Sequence, residues 1–256
     1  MEIPAGNLFL SGMDPEAPAL ARKWGLGLEL TTFTYAPNLE DPHWLEEARK
    51  EMSGIGSFVL HAPFAELSPC AVDPLVREVA QKRFRQTLTM AQALGISKIV
   101  IHSGFIPYIY FPEWFVAESV RFWREFLESV PENTVLCLEN VMDPGPEMLV
   151  QVAEGVNDPR LRLCLDVGHA NTCIAETKPM NWLDPMAPWL DHLHLHNNDG
   201  GNDLHASLDR GTIPMEALLE QVLTLCPEAT LTLENQTCAP SLDALYRWGL
   251  LKRGTL

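Results

Sequence analysis

The chain has 256 residues, 46% hydrophobic and 20% charged, a composition that excludes disorder and low complexity and is ordinary for a soluble globular protein. Its formal charge of −16, from 34 acidic against 18 basic residues, argues against a long DNA or RNA substrate, because nucleic-acid binding draws on Lys and Arg at phosphates. No apolar run reaches the ~18 residues of a membrane span, the start Met1-Glu-Ile-Pro-Ala-Gly6 lacks the pattern of a signal peptide, and the six cysteines form no CxxC pair, so a reduced, cytoplasmic protein is expected.

Short apolar runs alternate with amphipathic stretches along the chain. Asn7-Leu-Phe-Leu-Ser11 reads as the first strand, followed by a helix over 15–24. Leu26-Gly-Leu-Glu-Leu30 is the second, with a helix over 42–52. Ser57-Phe-Val-Leu-His61 leads to a long helix over 74–94, which Gly95 is placed to cap. Lys98-Ile-Val-Ile-His102 precedes a helix over 112–129, and Thr134-Val-Leu-Cys-Leu-Glu139 precedes one over 146–154. Leu161-Arg-Leu-Cys-Leu-Asp166 is followed by an irregular segment and a helix over 181–189. Residues 190–196 form the seventh strand before a helix over 214–225; Thr230-Leu-Thr-Leu-Glu234 is the eighth, before a last helix over 241–250. Eight strand–helix units predict a buried parallel sheet. A (β/α)₈ TIM barrel typically needs ~250 residues, so a single domain over 1–256 is expected. An open doubly wound sheet is the alternative, but no GxGxxG or P-loop follows the first strands. Cys137 and Cys164, inside strand patterns, read as small core residues.

Strand after strand ends in a residue able to bind metal: His61, His102, Glu139, Asp166, the run His192-Leu-His194-Leu-His196, and Glu234. His169 and the pair Asp203 and His205 lie just beyond strand ends. In a barrel these positions converge on the C-terminal face, where active sites lie. Alternation puts His192, His194 and His196 on one face of their strand, so His194 or His196 can reach an ion held by Asp166 and Glu234. A lone His or Glu at a strand end is more often a satisfied polar residue than a ligand. Here the candidates gather, and without cations Glu139, Asp166, Asp203 and Glu234 would repel one another. Mixed imidazole and carboxylate shells suit Zn²⁺, Mn²⁺ or Fe²⁺. His43 reads as surface. The aromatic loop from Phe105 to Trp114 reads either as a lid or stacking surface over the site or as packing against neighbouring loops, and Trp182 and Trp189 carry the same alternatives.

At His61-Ala-Pro-Phe64, His102-Ser-Gly104, Leu138-Glu-Asn140, Asp166-Val-Gly-His169, His194-Leu-His-Asn197 and Leu233-Glu-Asn235, the chain resembles the xylose isomerase-like TIM-barrel superfamily. That group includes sugar isomerases and epimerases and the type 2 apurinic/apyrimidinic-site endonucleases. The resemblance implies a core metal site of Glu139, Asp166, His194 and Glu234. It also implies the endonucleases' further ligands: His61 and His102 beside Glu139, and His169 with Asp203 and His205. Two or three divalent ions per chain, zinc or manganese, are expected. At Leu208-Asp-Arg-Gly211 many relatives have Gly-x-Gly; Asp209 takes the place of the first glycine. Phe64, His196 and Arg210 are the candidates for substrate contact. The larger ligand set favours hydrolysis of a phosphoester in a small polar molecule, such as a phosphorylated sugar or a small phosphodiester. An isomerase or epimerase, with Glu139 and Glu234 as acid and base, is the alternative. A third reading, an inactivated barrel used for binding, is opposed by the complete ligand set.

Overall fold

The computed structural model describes residues 2–252; the expected domain also takes in 1 and 253–256, which lie outside the described residues. Eight parallel strands close into a barrel in chain order. They are β1 (Leu8–Ser11), β2 (Gly27–Leu30), β3 (Phe58–His61), β4 (Lys98–His102), β5 (Val135–Glu139), β6 (Leu161–Asp166), β7 (Leu190–Leu195) and β8 (Thr230–Leu233). Each is followed by a helix: α1 (Ala17–Trp24), α2 (Pro42–Met52), α3 (Pro74–Leu94), α4 (Pro112–Leu127), α5 (Glu147–Val156), α6 (Met180–Met186), α7 (Met215–Leu225) and α8 (Ala239–Arg247). Closure rules out the open sheet. No helix among the described residues is long and apolar enough to cross a membrane.

Local chemistry sets the helix ends. Asp73 caps α3 by accepting from the Leu75 amide, and Gly95, at φ 71°, ends it as expected. The sixth helix stops at Met186 rather than running to 189, because Pro188 has no N–H to continue the ladder. The last helix stops at Arg247 ahead of Gly249, which takes a left-handed φ of 71°.

The strands look uniformly apolar in sequence, yet their two faces differ. One face carries Leu10, Leu28, Leu60, Ile101, Leu138, Leu165, Leu193 and Leu233, packed in the large core shared with the helices. The other face points into the barrel, where Phe9, Val59, Val100, Cys137 and Cys164 form a separate small core. The Phe9 ring lies over Gly27, where a Cβ would come within 2.3 Å of it. Both strand cysteines are therefore packing residues, as expected.

Two residues further along, the same inward face presents His61, His102, Glu139 and Asp166. Pairing sets these groups side by side: His102 is in register with Glu139, and Asp166 with His194. On β7 the register slips between Leu163 and Cys164, whose partners are Leu190 and His192, leaving Asp191 as the extra residue. The slip lets Leu190 pack outside while His192, His194 and His196 all turn inward, each fully buried.

Candidate metal centre

The barrel mouth gathers nine of the predicted metal-ligand residues into three adjoining groups. His61, His102 and Glu139 form one, Glu139, Asp166, His194 and Glu234 a second, and His169, Asp203 and His205 a third that also takes in His196. Within each group the donor atoms lie within 4.8 Å of one another. Glu139 joins the first two. Its Oε2 lies 3.4 Å from His61 Nε2 and 3.5 Å from His102 Nε2. Its Oε1 lies 3.3 Å from His194 Nδ1 and 3.4 Å from His169 Nδ1. Asp203 joins His169 and His205, with Oδ2 3.3 Å and 3.0 Å from their Nε2 atoms. Glu234 Oε2 stands 3.4 Å from His194 Nδ1.

The imidazoles are oriented from behind. Nδ1 of His61 lies 2.8 Å from the Ala62 carbonyl, Nδ1 of His169 lies 2.9 Å from that of Asn140, and Nδ1 of His205 lies 2.8 Å from that of Glu234. A carbonyl only accepts, so each Nδ1 carries the proton and donates, leaving Nε2 directed into the centre. Outer hydrogen bonds of this kind are how metal-binding histidines are held. Asn140 fixes Asp166 reciprocally: its amide donates to the Asp166 carbonyl, and the Asp166 amide donates to Asn140 Oδ1. The antiparallel pair Asn197 and Ala206 folds the loop back so that Asp203 and His205 reach the mouth. His205 does so in the left-handed region, at φ 47°, a conformation uncommon outside glycine.

The electrostatics fit divalent cations. Burial would raise the Glu139 carboxyl, but His194 and His102 beside it hold it well below the ordinary range. Burial raises Glu234 despite His194. Burial pushes His102 down to about 3. Burial opposes the charge on His205, but Asp203 and Glu234 win and raise it to about 9. Oε2 of Glu139 and Oε2 of Glu234 are buried with no hydrogen-bond partner. Among the described residues no Lys or Arg lines the cavity above these groups. Imidazolium is thus the only cation this lining offers to a concentration of carboxylates. Zn²⁺ or Mn²⁺ would satisfy the orphaned oxygens with a donor set of nitrogen and oxygen ligands that suits them.

A model of the xylose isomerase-like TIM barrels matches residues 19–240. The chain belongs to that family. Among curated relatives, a probable endonuclease 4 of Ureaplasma urealyticum is 25% identical over 75% of this chain and 66% of its own length. The chain spans just under two thirds of the length of that relative, 66%, and of the MJ1311 protein of Methanocaldococcus jannaschii, 64%. The TTHB071 protein from Thermus thermophilus, from a soak with ZnCl₂, is 30% identical, with a TM-score of 0.76 over 94% of this chain and 97% of the other. A D-tagatose 3-epimerase-like protein shares the fold with a TM-score of 0.79 at 19% identity, covering 94% and 96% of the two chains.

In this xylose isomerase-like barrel the three substrate-contact candidates part company. Phe64 lines the cavity and stacks on His102, with centroids 4.4 Å apart. His196 does not line it; its Nε2 lies 3.0 Å from Asp166 Oδ1, and its ring stacks on His205 at 4.0 Å. Gly168 makes the room, since a Cβ there would meet His196 Cε1 at 1.8 Å. Arg210 is exposed and outside the cavity lining. Asp209, in the departed loop, pairs with Arg247 at 2.6 Å, while Gly211 packs against Asn197. The aromatic loop divides: Phe105, Ile106 and Tyr110 line the cavity, Trp114 donates to the Cys70 carbonyl, and Tyr108, Ile109 and Phe111 are exposed. Trp182 is buried and donates to the Thr177 carbonyl, while Trp189 faces Arg162; neither lines the cavity. His43 is exposed, as expected.

One residue of the centre is absent from the ligand pattern read in the sequence. Glu29 on β2 is fully buried, with Oε1 3.0 Å from His194 Nε2 and Oε2 3.2 Å from His192 Nε2. Burial would raise its pKa, but His194 and His192 hold it well below the usual carboxylate range. The available signal was a single acid inside an apolar strand pattern, at the inward parity of β2.

Proposed function

We propose that the chain is a metal-dependent hydrolase that cleaves a phosphoester in a small molecule. The observation that supports this best is the third group, His169 with Asp203 and His205, adjoining the Glu139 groups. A single-metal isomerase leaves that group without a task. Two or three ions held by these residues, zinc or manganese, would stabilise charge developing on phosphoester oxygens and lower the pKa of water. Glu139 would join two of the ion sites through its separate oxygens. His61, His169 and His205 would present fixed Nε2 atoms, and His194 its Nδ1. His196 would hold Asp166 in place from beneath. Phe64 would cover His102 and limit water around the substrate. The charge of −16 and a cavity that no Lys or Arg lines among the described residues support a small substrate over duplex DNA.

A second reading, proton transfer in a sugar or sugar phosphate, is favoured by one observation. Glu139 and Glu234 face the same His194 Nδ1, with Glu139 held charged and Glu234 shifted towards its protonated form. That pairs a base with an acid. The deciding experiment assays phosphomonoesters and phosphodiesters beside ketoses and their phosphates, with Zn²⁺ and Mn²⁺. Phosphate or alcohol release that falls more than ~100-fold in Asp203→Ala is expected. Deuterium uptake from D₂O into a recovered sugar, with no phosphoester cleaved, would establish the isomerase instead.

A further inference from the structure

We propose that the substrate carries an apolar body, an alkyl or aryl group, behind the head group that the metal centre binds. The identity of that head rests on the phosphoester reading; the apolar body does not.

The cavity over the centre measures about 680 Å³, the size of a small-molecule site. Its floor is the metal-ligand set, with His61, His102, His169, Asp203, His205 and Glu234. Its walls are of another kind: Phe64, Val76, Phe105, Ile106, Val141 and Met142. Among the described residues no Lys, Arg, Asn or Gln lines it. The wall's polar side chains are Glu66 and the hydroxyls of Thr31, Thr34, Ser68 and Tyr110. Thr34 Oγ1 donates to the Thr31 carbonyl at 2.7 Å, and Ser68 Oγ donates to the Gly104 carbonyl at 3.1 Å.

A polyol or a sugar needs a partner for each buried hydroxyl, and an unpaired one costs affinity. Beside their apolar majority these walls offer few, and among the described residues no amide or cationic side chain. A phosphate usually meets Arg or Lys; here its charge can be met only on the floor, by bound ions and the imidazoles beside them. The head is therefore directed downward and the rest of the molecule lies against the walls. The apolar surface also continues outward. Phe64, Ile106 and Met142 line the cavity and are still 42%, 43% and 40% exposed. Ile109 and Phe111, in the same loop as Ile106, are exposed as well.

The test is calorimetric binding of n-alkylphosphonates, methyl to hexyl, to the zinc-loaded chain, beside ribose 5-phosphate and a series of 1,2-alkanediols. Affinity should rise by up to about fourfold for each methylene, the equivalent of ~0.8 kcal/mol per buried CH₂. Ribose 5-phosphate should bind no better than methylphosphonate. Ile106→Asn and Met142→Asn should flatten the rise with metal content unchanged. A flat phosphonate series, or ribose 5-phosphate binding more tightly than hexylphosphonate, overturns the apolar body and leaves the phosphoester reading standing. If no phosphonate binds while the diols bind more tightly with length, the apolar body stands and the phosphoester head is lost.

Discussion

A single residue separates Val59 from His61, Val100 from His102, Cys137 from Glu139 and Cys164 from Asp166. The lower member of each pair fills the barrel with dry packing beside Phe9. The upper member belongs to a mouth where carboxylates and imidazoles crowd together and the buried oxygens Glu139 Oε2 and Glu234 Oε2 lack hydrogen-bond partners. The lower layer is built to be stable without help. The mouth is an arrangement that cations complete. One rung of the same strands thus changes the task from holding the barrel together to holding ligands, and substitutions on either side of the boundary should have opposite signatures.

Glu139→Ala should have the largest effect on activity, on the order of 10³-fold, comparable to loss of a group that stabilises developing charge. It should also lower metal content by more than one ion, because its two oxygens face different groups. The apo-protein should still fold, with its melting temperature lowered, because His194 and His102 lose the carboxylate that faces them. Elemental analysis and calorimetry check both parts. Loss of one ion or none would show that Glu139 does not join two sites, and unfolding would erase the contrast with the lower layer.

Phe9→Ala should do the reverse. The ring packs with Val59, Val100, Cys137 and Cys164 and lies over Gly27. Truncation leaves a void inside the barrel, at a cost of about 3–5 kcal/mol. Metal content per folded chain should not change. Denaturant titration reads the first quantity and elemental analysis the second; a Phe9→Ala protein that folds normally but binds no metal would mean that the two layers are not separable.

The extent to which this contrast was visible in the sequence follows from strand geometry. Apolar runs placed all eight strands, six of them expected to end in His or an acid, and β4 and β6 have the expected bounds. The nine predicted metal-ligand residues do meet at the mouth, because a side-chain period of two and a closed barrel leave little freedom once the strands are placed. What stayed hidden depends on depth and direction. Whether His196 faced a substrate or Asp166 turned on the space at Gly168, which a linear motif does not encode. Arg210 is exposed and outside the cavity lining, in a loop anchored by Asn197, whose amide donates to the Leu208 and Ile213 carbonyls. The apolar walls come from the loops after β3, β4 and β5 and from Val76 at the start of α3, whose spatial convergence leaves no periodic trace.

Glu29 sits on the boundary between the layers and gives the finest test of it. Its carboxylate lies against His194 Nε2 at 3.0 Å and accepts a hydrogen bond from Thr232. Nδ1 of His194 is left facing Glu139 and Glu234. A carboxylate behind a histidine fixes the tautomer and makes the opposite nitrogen a better donor to metal. Glu29→Gln keeps the shape and removes the charge. Affinity at the Glu139, Asp166, His194 and Glu234 group should fall by ~10–100-fold, whereas an ion held by His169, Asp203 and His205 should bind as before. Titration with Co²⁺, whose absorption reports each site's geometry, separates the two. Equal weakening at both sites would mean that the Glu29→Gln change loosens the fold generally. Unchanged affinity at both would make Glu29 a satisfied core acid that belongs to the lower layer.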